Sequence, residues 1–203
     1  MSTELAFVGD IHGNLTALEG MWDALHKRQV AHVVFLGDYI NKGPKSAQVM
    51  SRLLSHEESG RATLLAGNHE TTLVDALERQ DLSGFLKIGG ASTIRSYVGG
   101  PVGPNVLQDF LKSTPLDHIQ AFRRMPLTYA APGLLAQHVA PRSRASDIFA
   151  ISAHVPTGTL PRIGKHSAEL DTGCGTPAGR LTALVWPTLH YIQVDNLGVR
   201  VRD

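Results

Sequence analysis

Leu5-Ala6-Phe7-Val8-Gly9-Asp10-Ile11-His12-Gly13 is an apolar, strand-like run that breaks at a glycine and then delivers an aspartate and a histidine two residues apart. The pattern recurs twice. Val33-Val34-Phe35-Leu36 runs into Gly37-Asp38-Tyr39, and Thr63-Leu64-Leu65-Ala66 runs into Gly67-Asn68-His69-Glu70. Between these strings lie amphipathic stretches at helical spacing. Leu15, Leu18, Trp22 and Leu25 follow Asn14, a natural N-cap; Val49, Met50, Leu53 and Leu54 follow Ser46; Leu73, Val74 and Leu77 mark a helix starting near Glu70. A βαβαβα order implies parallel strands joined by right-handed crossovers. Ligands of such sheets bind beyond the carboxyl ends of the strands, where all three strings lie.

The remainder of the chain bounds the function classes. At 203 residues it is long enough for one domain with a sizeable core, and 42% hydrophobic with 18% charged residues is an ordinary globular mixture. The formal net charge of +1 gives no basic footprint for nucleic acid and no acidic tail. A single cysteine, Cys174, excludes an internal disulfide, a zinc ribbon and a Cys-x-x-Cys redox pair. The opening Met1-Ser2-Thr3-Glu4 shows no signal-peptide pattern, and no apolar run is long enough to span a bilayer. The expectation is a cytoplasmic monomer with no membrane or nucleic-acid partner.

Residues 81–126 carry the Gly/Pro-rich patch Val98-Gly99-Gly100-Pro101-Val102-Gly103-Pro104 and a helical stretch around Phe110 and Leu111. They read as a helical insertion over the site, within a single domain spanning 1–203. The C-terminal third is strand-like at Leu134–Val139, Ile148–Ala153, Leu181–Trp186, Leu189–Val194 and Val199–Val201, with turns such as Asp195-Asn196-Leu197-Gly198 that suggest antiparallel hairpins.

Six residues form the candidate metal set: Asp10, His12, Asp38, Asn68, His138 and His154. Asp10 and His12, two apart on an extended turn, can face the same side, and Asp38 is the natural carboxylate to bridge two ions. A mixed Asp/His/Asn set suits divalent Mn, Fe or Zn rather than a thiolate site. Two such ions about 4 Å apart would clamp and activate a water for in-line displacement at phosphorus. Singly, Asp-x-His or Gly-Asp after a strand is as readily a cap or a turn; the joint order and strand context carry the reading.

The strings Gly9-Asp10-Ile11-His12-Gly13, Gly37-Asp38-Tyr39-Ile40-Asn41-Lys42-Gly43 and Gly67-Asn68-His69-Glu70 closely resemble the signature of calcineurin-like metallophosphoesterases, and more narrowly the phosphoprotein-phosphatase branch. Gln137-His138-Val139-Ala140-Pro141, Ala153-His154-Val155-Pro156, Leu170-Asp171-Thr172-Gly173-Cys174, Gly179-Arg180-Leu181-Thr182-Ala183-Leu184 and the stretch Gly89-Gly90, Thr93, Ser96-Tyr97 fit the same pattern. The resemblance implies an α/β fold of two facing mixed sheets flanked by helices. It implies two divalent cations, Mn foremost with Fe or Zn as alternatives. Asp10 and His12 would hold the first, Asp38 would bridge, and Asn68, His138 and His154 would hold the second. It implies a metal-dependent phosphoric ester hydrolase in which a metal-bridging hydroxide attacks phosphorus and His69 protonates the leaving group. The expected substrates are phosphomonoesters, foremost phosphorylated Ser/Thr in proteins with possible dual specificity.

The second string departs from the protein-phosphatase form, reading Asn41-Lys42 where that branch has Asp-Arg. Asn41 cannot supply negative charge to the catalytic histidine, though it can accept a hydrogen bond. Lys42 can neutralise a phosphate but lacks the planar fork of arginine. Asn41-Lys42-Gly43-Pro44-Lys45-Ser46 and Asp171-Thr172-Gly173-Cys174 resemble the subgroup around symmetrical diadenosine tetraphosphatase, so nucleoside polyphosphate or polyphosphate is the alternative substrate. A non-catalytic phosphate-binding scaffold is the alternative of another class. Asp38, Asn41 and His69 are the expected catalytic group, and Lys42, Asn68 and Arg142 the expected phosphate ligands. Arg144, Arg162 and His166 are weaker candidates at the rim. His26, His32, His56, His118 and His190 read as structural or surface residues, and Cys174 as a packed one.

Overall fold

The computed structural model describes residues 4–143, 145 and 147–201. The N-terminal half contains β1 (Leu5–Val8), α1 (Leu15–Lys27), β2 (His32–Phe35), α2 (Ser46–Glu58), β3 (Ala62–Leu64) and α3 (Asn68–Arg79). Four short helices follow: α4 (Ser83–Lys87), α5 (Gly90–Val98), α6 (Val106–Ser113) and α7 (Leu116–Arg124). The last third is β4 (Thr128–Ala131), β5 (Leu134–Gln137), β6 (Phe149–Ser152), β7 (Arg162–Ile163), β8 (Ser167–Glu169), β9 (Arg180–Trp186) and β10 (His190–Asp195). The strands form two mixed five-stranded sheets, ordered β10-β9-β1-β2-β3 and β4-β5-β6-β8-β7, which is the expected α/β architecture.

Strand alternation builds two cores from the same residues. Ala6, Val8, Val33 and Phe35 point to the helices and pack with Leu18, Met21, Met50 and Leu53. Phe7, Val34 and Leu36 point the other way and pack with Leu134, Ala136, Ile151, Ala168 and Leu170 of the second sheet. With both faces buried, β1 and β2 must be apolar at nearly every position, which is why they read as continuous apolar runs. Burying one such side chain contributes about 1.5–3 kcal/mol.

The register brings the three strings together. Val8 pairs with Phe35 and Phe35 with Leu64, all in parallel, so Gly9-Asp10, Gly37-Asp38 and Gly67-Asn68 leave the sheet side by side. The Asn14 side chain accepts from Ala17 N as the expected cap of α1.

The C-terminal expectation needs correction. The β9–β10 hairpin is antiparallel, but β5, β6 and β8 run parallel to one another. The chain between β5 and β6, and again between β6 and β8, is long enough for a crossover rather than a tight turn. Both His138 and His154 thereby follow carboxyl ends of parallel strands, and Ala153 N donates to His138 O. Val199–Val201 is not a strand; Arg200 makes only an isolated bridge to Val194.

Candidate metal centre

The loops beyond β1, β2 and β6 are held in an unusual backbone state. His12, Asp38, Asn41, Lys42 and His154 have φ of 48°, 57°, 70°, 57° and 69°. Such left-handed conformations cost non-glycine residues roughly 1–3 kcal/mol each and persist only where surroundings enforce them. The enforcement is visible. Ile11 N and His12 N both donate to Asp38 O at 3.0 and 2.9 Å, and Gly43 N donates to His12 O at 2.9 Å. The buried Glu70 carboxylate accepts from Asp38 N, Tyr39 N and Gly67 N at 2.8, 2.9 and 2.9 Å. Two glycines permit the close approach. A Cβ on Gly37, whose φ is +109°, would lie 2.4 Å from Gly67 N, and one on Gly67 would lie 2.2 Å from Asp38 Oδ1.

The six candidate ligands converge on this point. His12 Nε2 lies 3.5 Å from Asp10 Oδ2 and 3.9 Å from Asp38 Oδ2. On the other side, Asn68 Oδ1 lies 2.9 Å from both His138 Nε2 and His154 Nδ1, and His138 Nε2 lies 3.3 Å from Asp38 Oδ1. Asp38 is common to two groups whose ligand atoms could hold an ion, one with His12 and His69 and one with His138 and His154. Two imidazoles are pre-oriented from behind: His12 Nδ1 bonds Ile40 O at 3.2 Å and His138 Nδ1 bonds Leu36 O at 3.1 Å. Each Nε2 is thereby turned into the pocket, the orientation a metal ligand requires. The donor set of carboxylate, amide oxygen and imidazole fits divalent Mn, Fe or Zn.

The pocket's electrostatics follow from these contacts. Burial alone would raise Asp38, but the hydrogen bond and charge of His138, helped by His69 and His12, carry its pKa down to about 2. Burial opposes charge on His138, yet Asp38 and Asp10 lift its pKa to about 9. His12 is raised for the same reason, burial being outweighed by Asp10 and Asp38. Glu70 goes up to about 7 through burial and the nearby charge of Asp38, although its backbone donors pull the other way.

His69 stands at the rim of the carboxylate cluster, with Nε2 3.6 Å from Asp38 Oδ2 and its backbone N–H donating to Asp38 Oδ1. Burial pushes its pKa down to about 4. Thr93 Oγ1 receives Asn41 N–H at 2.8 Å and donates to Asn41 Oδ1 at 2.7 Å. That leaves Asn41 Nδ2 to donate to His69 Nδ1 at 2.6 Å. The expectation that Asn41 accepts from the histidine is therefore corrected: it donates, and the imidazole proton is held on Nε2, facing the pocket. Lys42 is exposed, yet its Nζ reaches to 2.6 Å from His12 Nε2.

Other expected residues fall elsewhere. Arg142 lies exposed in the loop after β5, and among the described residues no polar contact ties its side chain to the pocket. Arg162 is paired with Glu169 across β7 and β8, His166 is exposed, and Arg144 lies outside the described residues. Cys174 is buried, and burial raises its pKa to about 12, which leaves no thiolate to act as nucleophile. His118 bonds Tyr97 Oη at 2.8 Å and His56 stacks on Trp22. Three contributors had no role assigned from sequence. Glu70 ties two strings together; its place three residues after Gly67 at a helix start is the signature of a capping position. Thr93 orients Asn41. Asp171, buried, has its pKa raised by burial and by the adjacent charge of Asp10. Thr93 and Asp171 lie in stretches that fit the family pattern, but no local spacing there signals their contacts.

Comparison with known proteins agrees with this geometry. Residues 3–158 match the family model described as calcineurin-like phosphoesterase. A symmetrical bis(5'-nucleosyl)-tetraphosphatase of Ralstonia nicotianae is 30% identical over 109 residues, 54% of this chain and 36% of that protein. A serine/threonine-protein phosphatase 6 catalytic subunit of Drosophila melanogaster is 32% identical over 94 residues, 45% of this chain and 31% of the other. A zinc-dependent endopolyphosphatase of Saccharomyces cerevisiae is 33% identical over 89 residues, 43% and 27% of the two chains. The matched stretch thus spans well under half the length of these relatives. Among solved structures, a candidate diadenosine tetraphosphatase superposes with a TM-score of 0.69 at 21% identity, covering 94% of this chain and 92% of that one, and shows the same fold. No helix among the described residues is long and apolar enough to cross a membrane. Family match, strand-end motifs and converging side chains agree: the chain belongs to the calcineurin-like phosphoesterase family.

Proposed function

We propose that two divalent cations occupy this pocket, the first on Asp10, His12 and Asp38, the second on Asp38, Asn68, His138 and His154. One observation carries the proposal: Asp38 stands in both groups of ligand atoms, with one oxygen toward His138 and the other toward His12. When bound, the cations supply a water of lowered pKa and neutralise charge on the phosphoryl oxygens. The rest is done by the chain. Asn41 holds the His69 proton on Nε2, so a neutral imidazole N–H faces the departing oxygen and can stabilise its developing charge by a hydrogen bond. Lys42 adds a cation beside the phosphoryl group, and the strained, hydrogen-bonded loops keep the ligands from rearranging during turnover.

Two substrate classes are supported. Phosphomonoesters, phosphorylated Ser/Thr among them, suit an open site flanked by a cavity of about 350 Å³ whose lining includes Asn68, His138 and the exposed apolar Leu127 and Val139. Condensed phosphates are favoured by Lys42, whose ammonium reaches the pocket where the protein-phosphatase form carries arginine.

His69→Asn tests this role. On Mn-loaded protein it should lower kcat on a phosphoserine peptide by roughly 10²-fold or more. On p-nitrophenyl phosphate, whose leaving group needs no proton, the loss should be much smaller. Equal losses on both substrates would remove His69 from that role. Absence of turnover of either by the wild-type protein would favour the scaffold reading.

A further inference from the structure

Beside Lys42 lies a cavity of about 210 Å³ lined by Lys42, Pro44, Ser92, Arg95 and Ser96. Its lining holds two cations and two hydroxyls and no carboxylate. Among the described residues neither cation forms a salt bridge, and the one side-chain polar contact of Lys42 is with His12 Nε2 at 2.6 Å. That contact places one end of the cavity at the candidate metal centre, because the same His12 nitrogen is 3.5 Å from Asp10 Oδ2. The walls are fixed. Thr93, two residues before Arg95 on α5, is bonded to Asn41, the neighbour of Lys42. Ser96 Oγ accepts Ala47 N–H at 3.0 Å and Ser92 Oγ donates to Gly89 O at 3.0 Å. The cavity at Leu127 and Val139 is a separate one, and its lining holds no lysine or arginine.

We infer that the cavity between Lys42 and Arg95 is a subsite for a second phosphoryl group, so that the substrate is a phosphoanhydride chain. This rests on the hydrolase reading above and names its substrate class. A guanidinium presents a planar fork that matches two oxygens of a phosphoryl group, and a neighbouring ammonium adds a point charge between that group and the metals. The chemistry balances as a hydrolysis. A water oxygen bonds to the phosphorus at the metal centre, and the bond from that phosphorus to the bridging oxygen breaks. The electron pair leaves on the phosphoryl group held at Arg95, and a water proton goes to the departing oxygen or to solvent. A phosphomonoester has no second phosphoryl group and cannot use Arg95.

The test compares Arg95→Ala and Arg95→Lys with wild type in excess Mn, on tripolyphosphate, diadenosine tetraphosphate and a phosphoserine peptide. The ratio of kcat/KM for tripolyphosphate to that for the peptide should fall about tenfold or more in Arg95→Ala, and less in Arg95→Lys, which keeps charge but not the fork. An unchanged ratio overturns the inference. A loss confined to diadenosine tetraphosphate also overturns it, because it would place Arg95 against the nucleoside. Calorimetric binding of tripolyphosphate and of inorganic phosphate decides the question even where the wild type turns over nothing and the hydrolase reading itself fails. Tighter wild-type binding of tripolyphosphate than of phosphate, erased in Arg95→Ala, supports the subsite; equal binding of the two anions overturns it.

Discussion

At Asn41 one side-chain amide settles where a histidine keeps its proton. An aspartate there would accept from His69 Nδ1; the amide donates to it, because Thr93 already occupies the Asn41 oxygen. That Asn41 is placed beside His69 could be anticipated from the motif, but the direction of the bond could not, since it is set by a threonine 52 residues away. The candidate metal ligands were legible because their residue types are chemically specific and each follows an apolar, strand-like run. His56 shows the converse. Nothing in sequence distinguishes it, yet it is only 8% exposed, stacks on Trp22 at 3.4 Å between centroids, and leaves Nε2 without a hydrogen-bond partner among the described residues. Burial, with the charges of Arg52 and Arg61, lowers its pKa from 6.5 to about 4. The unfolded state therefore binds the proton more readily, and stability is lost as pH falls from about 6.5 toward 4. In His56→Phe, which keeps the stack and removes the titrating nitrogen, the fall in Tm between pH 7 and pH 5 should be smaller than in wild type. An identical fall would show that His56 contributes nothing to it.

At the scale of the element, α3 is both a core helix and the clasp of the pocket. Leu73 and Ala76 bury its apolar face, while Glu70 in its first turn gathers backbone N–H groups from two loops. Glu70→Gln turns one acceptor oxygen into a donor facing those N–H groups. It should cost about 2 kcal/mol in chemical denaturation and weaken Mn binding together. An unchanged denaturation midpoint would show the clasp to be incidental. Elements with continuous apolar runs and caps, β1 to β3 and α1 to α3, could be read from the chain to within a few residues. The strands β7 and β8, of two and three residues, could not. Their short or polar segments gain order only from pairing in the second sheet. The parallel course of β5, β6 and β8 was equally hidden, because direction is decided by the crossover and not by the strand.

Over the whole molecule, two cores share the β1-β2-β3 layer, and the pocket opens where the carboxyl ends of both sheets meet. His138 and His154 lie far along the chain from Asp38, so the second half of the ligand set exists only when the second sheet is docked. Folding and metal binding should therefore be coupled, with cation binding stabilising the docked sheets. The central claim is that Asp38 joins two ions in one pocket. Electron paramagnetic resonance of the Mn-loaded protein tests it most directly. The account predicts an exchange-coupled Mn pair, two ions per chain, that gives way to an uncoupled signal in Asp38→Asn. A six-line mononuclear spectrum at saturating Mn in the wild-type protein would contradict it.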